Sequence, residues 1–176
     1  MEECSGGKLI NEEFDLIREI RGLLKNPKNI PGAIESLLSE NTALNKRIES
    51  LEARQLVVIR NELLQKDEII SNVSFIGQIV EVSNPDALKK LCFDLKHHLH
   101  DHLAILCANI GGKAYVAISI SDTVAAAKGL DASKLIKEQV SKLINGGGGG
   151  QKTLATAGGQ DVSQLKEVID KIRSVL

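Results

Sequence analysis

Aromatic residues are the scarcest chemistry in this chain. Phe14, Phe75, Phe93 and Tyr115 are the full set, and tryptophan is absent. That excludes a broad platform on which several bases stack in succession, and it leaves the core to aliphatic side chains. Charge of one sign is lacking too. The 176 residues carry a formal net charge of −1, so binding driven by bulk positive charge is excluded. The charge is uneven, however. Residues 1–83 hold 10 basic and 14 acidic side chains, and residues 84–176 hold 12 and 9. An anionic partner is therefore expected on the C-terminal half. No apolar run approaches the roughly 18 to 20 residues of a membrane span, and the N-terminus lacks the apolar core of a secretory signal. Cysteine shows no framework: Cys4, Cys92 and Cys107 are odd in number and irregularly spaced, which points to a reducing, cytoplasmic setting.

What the chain has in excess is glycine, concentrated in one place. Gly146, Gly147, Gly148, Gly149 and Gly150 run consecutively, followed by Gln151, Lys152 and Thr153 and by the segment Leu154-Ala155-Thr156-Ala157-Gly158-Gly159. Glycine loses more backbone freedom on ordering than any other residue. In exchange the run offers a backbone without side chains, whose N–H groups a phosphate or ribose can approach. By composition alone a flexible linker fits equally well. The flanks weigh against it, because patterned sequence resumes within ten residues.

The pattern elsewhere predicts two units. Phe14, Ile17, Ile20, Leu23 and Leu24 recur at helical steps until Asn26 and Pro27, and Pro31 opens the next element. From Ala33 to about Ile70 there is neither Gly nor Pro. Leu37, Leu44, Leu51 and Val58 fall seven apart, with Ile48 among the complementary core positions. These heptads suit either a coiled coil between chains or a helix folded back on its own chain. Leu56, Ile59 and Leu63 continue the stripe only after a shift of register. Residues 1–72 are thus read as a helical linker and coiled-coil-like arm.

Residues 73–176 read as a small α/β unit with a mixed sheet. The predicted order is a strand from Val73 to Val82, a helix opened by Asn84-Pro85-Asp86, and strands over Leu103–Asn109 and Ala114–Ile120. Gly111-Gly112 is a hairpin signal between the last two. Both strands are nearly all apolar, so they belong inside a sheet covered on both faces. A helix capped by Asp131, the glycine loop, a short strand near Thr153–Ala157 and a closing helix from about Asp161 complete the order.

Catalytic motifs are missing. His97, His98, His100, Asp101 and His102 tempt a metal assignment, but they straddle a helix end and a strand start and point in several directions. The segment Gly147 to Thr153 nearly matches a phosphate-binding loop, yet Gln151 stands where its second glycine belongs, and a helix precedes it where a strand is required.

The glycine run, Ala155-Thr156-Ala157-Gly158-Gly159 and the closing helix together resemble the C-terminal domain of bacterial alanyl-tRNA synthetases, which belongs to the DHH-associated family. The likeness extends upstream through Phe14–Asn29, Ala33–Leu37 and the heptad helix. It departs at Asn145, where the family often has Cys, and at Thr156, where many members have Gln. The resemblance implies a piece of a larger enzyme that binds the elbow of alanine tRNA and supports aminoacylation and editing by other domains. No catalysis is expected from this chain alone, and no cofactor: ATP, magnesium and zinc would belong to the other domains. The RNA-contacting candidates are Gly146 to Gly150 with Lys152, Thr156 and Lys113. Homodimerisation through Leu37, Leu44, Ile48, Leu51 and Val58 is a further expectation. Two alternatives stay open, the substrate-binding domain of a DHH phosphoesterase or exonuclease and a plain dimerisation module.

Overall fold

The computed structural model describes residues 3–176, with side chains from Gly6 onward, so Cys4 lies outside the described side chains. The chain divides into compact units Met1–Glu52 and Ala53–Leu176. The first unit is helical. Helix α1 (Glu3–Leu23) ends where Lys25 and Asn26 adopt left-handed backbone angles and the Asn26 N–H reaches back to the Arg21 carbonyl at 2.7 Å, a Schellman closure that Pro27 seals. Asn29 then caps α2 (Ile30–Gln65), accepting from the Gly32 N–H at 3.2 Å.

The second unit takes in the last turns of α2. Leu63 is buried there, with Leu56, Ile59 and Leu64 packed beside it. Leu56, Ile59 and Leu63 are the residues that the shifted register picks out, while Val58, on the heptad, stays exposed. The helix stops at Gln65, short of the expected Ile70. Residues Glu68–Ile70 form strand β1 instead, joined to β2 (Val73–Ile79) by a two-residue turn with Ser71 and Asn72 at positive φ. That is the turn whose twist matches an antiparallel hairpin.

Strand β2 leads through α3 (Pro85–His98) to a parallel neighbour, β3 (His102–Ile110). Asn84 caps α3 by accepting from the Ala87 N–H at 3.0 Å. Gly111 and Gly112, both at positive φ, turn β3 antiparallel into β4 (Lys113–Ile120). Ser121 caps the short helix α4 (Asp122–Ala127), an element the sequence pattern did not suggest. Helix α5 (Ala132–Leu135), capped by Asp131, continues through a π-helical turn over Ile136–Val140.

The glycine run is a strand and not a loop. β5 (Gly146–Gly150) pairs antiparallel with β6 (Leu154–Gly159) at the sheet edge, and the six strands lie in the order β1-β2-β3-β4-β6-β5. Helix α6 (Leu165–Arg173) closes the chain. It begins four residues later than expected, because the Asp161 carboxylate is engaged by the Ser163 N–H at 2.9 Å and hydroxyl at 2.6 Å.

The sheet separates two apolar cores. Alternate residues of each strand face opposite sides. Leu103, Ile105, Val116, Ile118, Ala155 and Ala157 meet α4, α5 and α6 on one side. Ala104, Leu106, Ala117 and the end of α2 meet α3 on the other. Strands β3 and β4 are buried on both faces, as their apolar runs predict. Cys92 lies in the α3 core and Cys107 in the opposite one, and burial pushes both thiols up to about 12.

Candidate nucleic-acid interface

Helix α3 packs over β3 and β4 but leaves the α3-side face of β6 and β5 open. A groove of about 330 Å³ lies there. Pro85, Leu88 and Lys89 of α3 form its wall, and Tyr115, Thr156, Gly158 and Gly147–Gly149 form most of its floor. The register explains the floor. Tyr115 pairs with Gly158, which pairs with Gly147; Ala117 pairs with Thr156, which pairs with Gly149. Apart from Tyr115 both rows consist of small residues, and the Tyr115 ring lies against Gly158, where a Cβ would sit 3.3 Å from its Cε1.

Within β5 the five glycines split into two sets. At Gly146 and Gly148 a Cβ would collide with the carbonyls of Gly158 and Thr156, and at Gly150 with that of Leu154. At Gly147 and Gly149 it would meet nothing within 4 Å. The first set is demanded by β6, and the second keeps the groove floor flat.

Hydrogen-bond polarity follows the same alternation. The Gln151 N–H donates to the Leu154 carbonyl at 2.8 Å, so the hydrogen-bonded pairs of this ladder are 151 with 154, 149 with 156 and 147 with 158. The N–H and C=O groups of Gly146, Gly148 and Gly150 therefore point off the sheet edge. Gly146 spends its N–H on the Ser141 carbonyl at 3.0 Å, closing the preceding helix around Asn145 at φ 49°. By the same alternation the N–H groups of Gly148 and Gly150 face away from β6. Two such donors separated by one residue, on a strand without side chains, suit phosphate or 2′-hydroxyl oxygens.

Residues 72–176 match the DHHA1 domain family. The chain belongs to that family. Over 167 residues, 95% of its length, it is 35% identical to an alanine–tRNA ligase of Cytophaga hutchinsonii. Over 175 residues it is 34% identical to an alanine–tRNA ligase of Pediococcus pentosaceus. It spans about a fifth of these relatives, 19% in each case. The fold is that of the C-Ala domain from Aquifex aeolicus alanyl-tRNA synthetase, with a TM-score of 0.56 at 24% identity over 62% of this chain and 96% of that one.

The DHHA1 domain brings some of the candidates together and not others. Gly147, Gly148, Gly149 and Thr156 share the groove, whereas Gly146, Gly150, Lys152 and Lys113 lie outside its lining. Lys152 sits in the β5–β6 turn, its carbonyl accepting from the Ala132 N–H at 2.8 Å. Lys113 opens β4 at the opposite end, beside the row of Ala114, Gly159 and Gly146, roughly 20 Å away at strand spacing. Lys89 and Tyr115 were missed. The one tyrosine in a mostly apolar strand was the available signal for Tyr115, while nothing short of the fold could place Lys89. Gly158 and Gly159 are strand residues of β6.

The histidine cluster disperses. His98 and His100 are exposed, and His102 is buried, with Nε2 3.1 Å from the Ser119 hydroxyl and its backbone N–H 3.2 Å from that of Ser121. Among the described residues no three His, Cys, Asp or Glu side chains are placed to share a metal. Burial holds the His102 imidazole below its ordinary pKa. The unfolded chain then binds more protons than the native one below about pH 6.5, so stability falls as pH drops through that window. Urea unfolding followed by circular dichroism is expected to show this loss, and His102→Asn to flatten it.

The split among the glycines gives a second test. Gly148→Ala is expected to cost about 1–3 kcal/mol through overpacking against β6, and Gly149→Ala to stay within about 1 kcal/mol of the parent. Thermal unfolding of the two variants checks the contrast.

Proposed function

We propose that this chain is the tRNA-binding C-terminal region of an alanyl-tRNA synthetase, docking on the elbow of alanine tRNA. It would serve aminoacylation and editing carried out by other domains of the same cytoplasmic enzyme. The observation that carries this reading is the groove, with a floor flattened by Gly147, Gly149 and Gly158, bordered by Lys89, Tyr115 and Thr156, and flanked by the edge amides of Gly148 and Gly150. Similarity to alanine–tRNA ligases along nearly the whole chain supports the choice of RNA. A flat floor with hydroxyls and amides recognises a folded RNA by shape and 2′-hydroxyl contact. In this reading the chain carries no reaction of its own, and ATP, magnesium and zinc act elsewhere in the enzyme.

The test exploits the open space at Gly149. Gly149→Leu fills the floor without touching β6, so it is expected to weaken binding to folded alanine tRNA at least about tenfold with a Tm shift under about 3 °C. Affinity for single-stranded DNA is expected to be lower throughout. The dependence of log K on log salt should be shallow, with a slope of about −2 to −3, since few lysines border the site. Equal binding to folded tRNA, unfolded transcript and single-stranded DNA would defeat the proposal.

A second role is supported by exposure along α2. Leu37, Leu44, Ile48, Leu51 and Val58 are each 50–60% exposed among the described residues. This heptad seam would join two copies as a coiled coil. Sedimentation is expected to give a dimer for the parent and a monomer for Leu44→Asp/Leu51→Asp, with tRNA affinity per chain reduced and not abolished.

A further inference from the structure

The outer face of α3 carries a feature that the groove does not use. Phe93 is 57% exposed, although the chain has only three phenylalanines and Phe75 is buried. Its neighbours one turn away on the helix are Lys89, Lys90, Lys96 and His97, all exposed. No acidic side chain occupies any of those four positions. The His97 ring meets Phe93 nearly perpendicularly, with centroids 4.6 Å apart and planes at 77°. In such a pair at most one face of Phe93 is taken, and the contact holds the ring in one orientation.

Lys89 connects this stripe to the groove, since it lines the groove wall and lies one turn before Phe93. Lys96 is only loosely engaged, 3.8 Å from the exposed Asp122 carboxylate. An aromatic face ringed by cations and continuous with the groove fits one class of partner, an anionic polymer that presents flat π-surfaces. Because the cations surround the ring, an apolar protein surface would have to strip water from three ammonium groups to cover it, whereas an RNA backbone meets them.

We infer that the Lys89–Phe93–His97 stripe of α3 is a second RNA contact, with Phe93 stacking on an accessible nucleobase while Lys89 and Lys90 meet flanking phosphates. This rests on the RNA-binding reading of the groove and extends it along one helix. The ordered ring lowers the entropy lost on stacking. Base–aromatic stacking is tolerant of sequence because every base has a π-face, so the stripe adds affinity without base specificity.

The experiment measures binding of the full chain to folded alanine tRNA at several salt concentrations. Phe93→Ala is expected to lose about tenfold in affinity with an unchanged salt slope, and Phe93→Tyr to bind as the parent does. Lys90→Gln is expected to lower the slope by about 0.7–0.9. If Phe93→Ala binds like the parent while Gly149→Leu still fails, the stripe is no contact and the groove reading survives alone. If Gly149→Leu binds normally as well, both readings fall. A Phe93→Ala variant that keeps tRNA affinity but loses self-association assigns the ring to a protein contact and overturns the inference. Since Phe93 is exposed, circular dichroism of the variant is expected to match the parent.

Discussion

Strand β5 lies against β6 with no volume left for a Cβ at every second residue, and the rest of the candidate interface depends on that approach. Gly146, Gly148 and Gly150 satisfy β6; the intervening Gly147 and Gly149 then inherit the open face. The strand is held in place from both ends. Asn145 takes a left-handed angle to deliver it out of the preceding helix, and the Lys152 and Thr153 carbonyls tie its far turn to α5 and β4. A backbone that would sample many conformations as a free segment is over-determined by its neighbours. Conformational entropy is lost once, on folding, so a partner meets amides that are already aimed.

Such a surface changes how a nearly neutral protein can hold a polyanion. Counterion release scales with the number of phosphates neutralised by side chains, and this interface has few cations to offer. Backbone amides contribute donors without formal charge, and hydroxyls from Tyr115 and Thr156 add groups that can both donate and accept. Specificity in that regime comes from the outline of the floor. Contacts that need a close, flat approach penalise any nucleic acid whose backbone follows a different curve.

Much of the scaffold was legible in the sequence because periodicity and capping chemistry agreed. The apolar runs of β3 and β4, the Gly111-Gly112 turn, and the caps Asn84 and Asp131 announced their elements directly. β5 was not legible in this way. Strand assignment relies on side-chain alternation, and five glycines have no side chains to alternate; only pairing with β6 makes them a strand. Helix α2 ended early because the hairpin at Ser71-Asn72 needs β1, and that tertiary demand overrides a helical pattern lacking Gly or Pro. The candidate residues within the groove, Gly147–Gly149 and Thr156, were found from composition and resemblance. Lys89 was not, because α3 and β5 are far apart in the chain and only the folded sheet brings them to one groove.

The sheet also stands between two sulfur atoms. Cys92 and Cys107 are fifteen positions apart in the chain, yet they face opposite cores, and a layer of backbone separates their side chains. A disulfide between them would require taking the sheet apart. With both thiols far from ionising at neutral pH, neither offers the thiolate that oxidants and exchange partners attack. The globular unit would keep these two sulfurs reduced in an oxidising compartment as readily as in a reducing one. Unpaired cysteines ordinarily speak for the surroundings in which a protein lives; here they record only the architecture that encloses them.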